Sequence, residues 1–257
     1  MTGAPAARAA DLPDVAGFRP DVPAQQAYRM LQQYAGPNRR IDAGRVSVPA
    51  LGTQPLIYAL VMSDGTGASA EMIELDLTLP PGPQIVWRVA RKLTFLPGKE
   101  LLVQNIVQSL HDKYGAEVPY GGSERPMTPG VPGMWWFTPQ GNRAAVPPGI
   151  QFSDCDNIGP AATVEDSIAT SGSGAALLQP IQRGRADLER CRELVKVSAQ
   201  LGRNGNSDLA LSLTVEVADL ALEARTHDAT LAVLTADAQR HARQDHQQAI
   251  QRGKPTL

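Results

Sequence analysis

Glu193-Leu194-Val195-Lys196-Val197-Ser198-Ala199-Gln200-Leu201, then Asn204-Gly205-Asn206, then Leu209-Ala210-Leu211-Ser212-Leu213-Thr214-Val215-Glu216-Val217 is the stretch that decides the fold class. Apolar and polar residues alternate along both arms, the period-two pattern of strands with one buried face. An Asn-Gly pair between two such arms supplies the positive backbone angles of a tight hairpin turn. These residues therefore predict an antiparallel hairpin.

Working upstream, the same period recurs. Residues 72–79 alternate cleanly, predicting one buried and one wet face, and Pro80-Pro81-Gly82-Pro83 ends the run. Residues 56–62 are apolar and stop at Asp64-Gly65, a turn pair. Residues 85–95 form the longest candidate strand, with Arg88 and Arg91 expected to be exposed. Shorter strands are predicted at 45–48 and 134–137, and 142–185 reads mostly as loop.

Helical spacing replaces alternation in three places. Ala27, Tyr28, Leu31 and Tyr34 share one face, Asp21 is placed to cap the start, and Pro23 is tolerated in the first turn because it lacks an N–H that would go unpaired there. Gly36-Pro37-Asn38 stops that helix. A second helix is predicted from Gly98 to Lys113, with Leu102, Ile106, Leu110 and Tyr114 at steps of four. A third runs from Thr226 to Gln251, and its sparse apolar positions after Leu234 predict last turns that project into solvent or dock on a partner.

The result is an α+β protein of two related helix-plus-antiparallel-sheet halves with a long C-terminal helix. Residues 1–14 read as a flexible tail, 15–118 as an N-terminal module, 119–132 as a Gly/Pro-rich linker, and 133–257 as a C-terminal module. At 257 residues and 42% hydrophobic content the chain can bury a sizeable core. Gly and Pro number 23 and 21, an excess that belongs in connections. The net charge of -2 comes with scattered Lys and Arg, so the basic stripe of a nucleic-acid binder is missing. No apolar run has the length of a membrane-spanning helix.

Cys155 and Cys191 are the two cysteines, and neither lies in a Cys-x-x-Cys pair that would suggest zinc or thioredoxin chemistry. The intervening Thr170-Ser171-Gly172-Ser173-Gly174-Ala175 is flexible in composition, and bridging its flanks would remove about 3–4 kcal/mol of unfolded-chain entropy. A Cys155–Cys191 disulfide is expected; two separate buried thiols are the alternative. Ala4-Pro5-Ala6-Ala7-Arg8-Ala9-Ala10 has the small-x-small pattern of a signal-peptidase site without the charged and apolar segments that precede one. With the cysteines it suggests an exported protein, periplasmic or secreted, against an Ala/Pro-rich tail on a cytoplasmic one.

Candidate chemistry is thin. His241 and His246 are five positions apart and diverge on a helix, so they do not form a metal pair; with His111 and His227 they read as exposed helix residues. Ser153-Asp154-Cys155-Asp156 sets acids beside a thiol, which opposes the thiolate a nucleophile needs. Ser171-Gly172-Ser173-Gly174 lacks the preceding strand and following Lys of a phosphate loop. Glu74 and Asp76 share a strand face with Glu71 nearby, which reads as a solvated face rather than a catalytic pair. Trp135, Trp136 and Phe137 point alternately to opposite sides of a strand, so one side is left exposed as an interface anchor unless a loop covers it.

Gly17-Phe18-Arg19-Pro20-Asp21-Val22-Pro23 through Leu31 resembles the Gly-x-x-x-Gly-Met-Ser/Thr-x-x-Glu-x-x-x-x-Leu opening of small secreted bacterial modules. Those include the BamE/SmpA type of outer-membrane assembly lipoprotein and the β-lactamase-inhibitor-protein fold. The Lys113-Tyr114-Gly115 ending, the cysteine spacing and the hairpin at 191–219 resemble uncharacterised exported proteobacterial proteins carrying such modules. Asp21, Val22 and Pro23 stand where the pattern has Gly, Met and Ser/Thr. The resemblance implies protein binding on a sheet face, with no active site; from the residues themselves no cofactor and no metal are expected. The functional expectation is a non-enzymatic, protein-binding envelope or secreted component. A carrier of a small apolar or lipidic ligand held between sheet and helices is the alternative, and a hydrolase the third.

Overall fold

Strands with one apolar face must cover it, and here eight of them do so in one antiparallel sheet. The computed structural model describes residues 12–63, 70–118, 127–145, 189, 191–203 and 208–251. In chain order the elements are α1 Ala24–Ala35, β1 Arg40–Val46, β2 Leu56–Ser63, β3 Glu71–Leu77, β4 Val86–Thr94, β5 Leu101–Leu102, α2 Val103–Tyr114, β6 Gly133–Phe137, β7 Val195–Arg203, β8 Leu209–Asp219 and α3 Leu220–Gln251. The sheet order is β1-β2-β3-β4-β8-β7-β6, with β5 pairing the end of β8.

Each of α1 and α2 precedes a meander whose last strand lies at the centre of the sheet. β4 and β8 meet there along seven residue pairs, from Arg88↔Ala218 to Thr94↔Ser212. The two helix-plus-sheet halves therefore share one hydrogen-bonded sheet. Met127, inside the expected 119–132 linker, is buried in the main core, and residues 119–126 lie outside the described set.

The sheet is covered on both faces. Ala27 and Leu31 of α1, and Ile106, Leu110 and Tyr114 of α2, pack with Leu60, Ile73, Leu75, Val89, Val197, Val215 and Val217. On the other face Trp87, Met134 and Trp136 pack with Leu220 and Leu222, the first turn of α3. Farther along α3, Leu231 and Leu234 meet Val46, Val48 and Leu79, and Thr230 Oγ1 donates to the Pro80 carbonyl at 2.7 Å. Residues 239–251 are exposed, so the last turns of this 32-residue helix project beyond the sheet.

Several boundaries differ from the sequence expectation for local reasons. Pro23, not Asp21, is the N-cap of α1, and Asp21 instead sits in the left-handed region at φ +66°. Leu101 and Leu102 form a short strand against Ala210 and Leu209 rather than the first turn of α2. α3 starts at Leu220, six residues early, because the Asp219 carboxylate accepts the Leu222 N–H at 2.8 Å and caps the helix directly after the strand. The hairpin arms are β7 and β8, paired from Val195↔Asp219 to Arg203↔Ala210 with a register shift between Gly202 and Arg203; its turn lies outside the described residues.

Trp135 and Trp136 are both fully buried and Phe137 is 8% exposed, so none is an exposed anchor. Trp135 lies on the helix face, donating Nε1–H to the Gly115 carbonyl at 2.7 Å, with its ring 5.5 Å from that of Tyr114. Trp136 fills the α3 side. Gly133 makes room for the first ring, since a Cβ there would fall 2.9 Å from both the Met127 sulfur and Trp135. Trp135→Ala and Trp136→Ala are each expected to lower unfolding free energy by about 3–5 kcal/mol, measured by urea denaturation followed by circular dichroism.

Candidate functional site

The two faces of the β4–β8 ladder carry different chemistry. On the helix face, Arg91 and Leu93 of β4 lie opposite Val215 and Leu213 of β8. With Leu101 and the α2 residues Asn105, Ile106, Ser109, Leu110, Lys113 and Tyr114, they line a groove of about 280 Å³ closed at one side by Val15 and Ala16. Its walls are mainly aliphatic, and its size lies at the small end of pockets that hold small molecules. Along β8 its floor grades from buried Val215 to half-buried Leu213, and Leu211 beyond the lining is exposed. Leu96, Leu101, Leu102 and Leu211 are 57%, 48%, 39% and 36% exposed, an apolar rim where β4, β5 and β8 end.

The opposite end of the groove is polar. Arg91 Nη2 pairs with Glu71 at 2.6 Å, and Glu71 also meets Arg39 at 2.9 Å and accepts the Tyr34 hydroxyl at 2.7 Å. Burial alone would raise the Glu71 carboxyl, but these bonds hold it below its ordinary value. Lys113 Nζ pairs with Asp14 at 2.9 Å, and the Tyr114 hydroxyl donates to the Asp14 carbonyl at 2.6 Å. Burial, with Asp14 nearby, pushes the Tyr114 phenol up. The end of α2 is held by Arg143, whose Nη1 and Nη2 donate to the Tyr114 and Ala116 carbonyls at 3.2 and 2.7 Å. These groups anchor the helix that forms the groove wall.

On the α3 face, Arg88 gathers acids from two neighbouring strands. It reaches Asp76 at 2.6 Å, Glu216 at 3.0 Å and Glu74 at 3.9 Å. Burial works against its charge, but Asp76 and Glu216 hold the guanidinium more firmly protonated than usual. The face expected to be wet is thus partly closed: Asp76 is 3% exposed. Arg88 and Arg91, expected to be exposed together, point to opposite faces and are both paired. Glu71 lies on the groove face, apart from Glu74 and Asp76.

Beneath α3 lie two groups the sequence reading did not single out as buried. His227 is 2% exposed, unlike exposed His241 and His246; His111 is half-buried and bonds Glu117. Glu223 is fully buried, and among the described residues neither carboxylate oxygen has a hydrogen-bond partner. His227 was expected to be an exposed helix residue, and Glu223 fell ahead of the expected helix start at Thr226, in a segment given no structure. Cys191 is also fully buried, while Cys155 and residues 170–175 lie outside the described set. Among the described residues no group of three or more His, Cys, Asp or Glu could hold a metal, and no helix is long and apolar enough to cross a membrane.

No family model matches the chain, and no curated protein or solved structure matches it.

Burial, with the charge of Asp76 adding to it, pushes the Glu223 carboxyl well above its ordinary value. The folded protein then keeps a proton that the unfolded chain releases, so stability is fully present below the unfolded pKa and falls as pH rises. Glu223→Gln keeps the shape and removes the titration. The variant is expected to be more stable than the parent at neutral pH, with the difference vanishing near about pH 4. Urea denaturation across a pH series measures it.

Proposed function

We propose that this is a non-enzymatic binding protein of the exported class, carrying a small apolar ligand in the groove between α2 and the β4–β8 ladder. The observation that carries this reading is the groove itself: aliphatic walls from two strands and a helix around about 280 Å³. Core side chains ordinarily close such a space, because unfilled apolar volume forfeits dispersion contacts. Leu93 and Leu213 instead stay half-buried at its floor. Native mass spectrometry of protein from its source tests the reading by detecting a co-purified apolar molecule. Ser109→Trp, which places a ring in the groove from an exposed helix position, is expected to reduce uptake at least tenfold while leaving the melting temperature within a few degrees. Retained uptake would place the ligand elsewhere.

A protein partner is the second reading. It is favoured by the leucines where β4, β5 and β8 end, since Leu96, Leu101, Leu102 and Leu211 are each partly exposed, and exposed apolar surface is characteristic of interaction sites. The resemblance of Gly17–Leu31 to protein-binding secreted modules supports the same class. A co-purified polypeptide in place of a small molecule would favour it.

The export reading is supported by the Ala-rich segment at 4–10 and by the Cys155–Cys191 pair, which we take to be bridged. Reduction is then expected to lower stability by about 3–4 kcal/mol. Urea denaturation with and without reductant, repeated on Cys155→Ser, checks it: the variant should lose the reductant effect.

A further inference from the structure

We infer that the ligand of this groove is a single-chain amphiphile with an anionic head, its head at Arg91 and Lys113 and its tail toward Leu101. The inference rests on the carrier reading and deepens it by naming the ligand class.

The groove is polarised along its length. The β4–β8 register sets Arg91 beside Val215 at one end, and Leu93 beside Leu213 farther on. Lys113 belongs to the last turn of α2, whereas Leu101 lies just before its first turn. Both cations therefore fall at one end and exposed leucine at the other, separated by about 16 Å of helix. Arg91 and Lys113 line the space, and among the described residues no acid does.

The acids that face these cations are Glu71 and Asp14, and each lies outside the lining. Arg91 commits Nε and Nη2 to Glu71 at 2.8 and 2.6 Å. Lys113 meets Asp14 at 2.9 Å, with the two side chains 41% and 38% exposed. An exposed pair of that kind contributes little to stability, so a ligand carboxylate can take the place of Asp14 at modest cost. A charge-assisted bond to the head then adds to burial of the tail. The apolar end needs no partner for a tail that ends there, because it opens onto the leucine rim.

Isothermal titration calorimetry of the full chain with dodecanoate, dodecanol and dodecyltrimethylammonium, each kept below micelle formation, tests the inference. Dodecanoate is expected to bind about tenfold more tightly than dodecanol, and the ammonium more weakly than either. Lys113→Gln, an exposed site outside the core, should weaken dodecanoate several-fold and leave dodecanol unchanged. Equal affinity for dodecanoate and dodecanol, or equal weakening of both by Lys113→Gln, overturns the anionic head while leaving a carrier intact. Failure of all three to bind overturns the carrier reading and the inference with it.

Discussion

The pairing of β4 with β8 is the constraint on which the rest of the structure hangs. These strands come from opposite halves of the chain, more than a hundred residues apart, and close the sheet along seven pairs. Because side chains alternate, that register sets both faces together. It sets Arg88 diagonally across from Glu216 on the α3 side, and Arg91 and Leu93 opposite Val215 and Leu213 on the helix side. A slip by one residue would turn the ion network into the groove and the aliphatic floor under α3.

Charge on the α3 side is held in a particular balance. One guanidinium serves Asp76, Glu216 and Glu74, so carboxylates outnumber the cation that binds them. Adding another anion beneath the helix would be costly in a site closed to water. That is the physical reason Glu223, buried beside Asp76, resists ionisation. The polar network thus pins three strands together, and α3 closes over it. The groove face takes the opposite course, keeping ions at one end and aliphatic surface along the rest.

The helix that walls the groove is held by contacts from several directions. Arg143 takes its terminal carbonyls, Tyr114 packs on Trp135, and β5 fixes its start against β8. An apolar space can persist beside a helix tied at both ends, since collapse onto the sheet would break those bonds. The groove on this scaffold lies beside a helix tied at both ends.

By itself the sequence determined the period of each element. Alternation at 72–79, 193–201 and 209–217 specified strands, and the four-residue spacing of Ile106, Leu110 and Tyr114 specified a buried helix face. It also specified that adjacent tryptophans would point to opposite sides. Which of those sides met water was decided only in three dimensions, because α3 covers one face and α1 and α2 the other. The groove was invisible for the same reason: alternation gives Leu213 a face but no neighbour, and Leu93 and Leu213 meet only through a long-range register that no local pattern encodes. Likewise His227 read as ordinary helix surface and Glu223 fell outside the expected helix, until Asp219 capped the helix early and laid its first turns on the sheet. Local sequence sets what an element is, while the entropy and packing of distant pairings set what it touches.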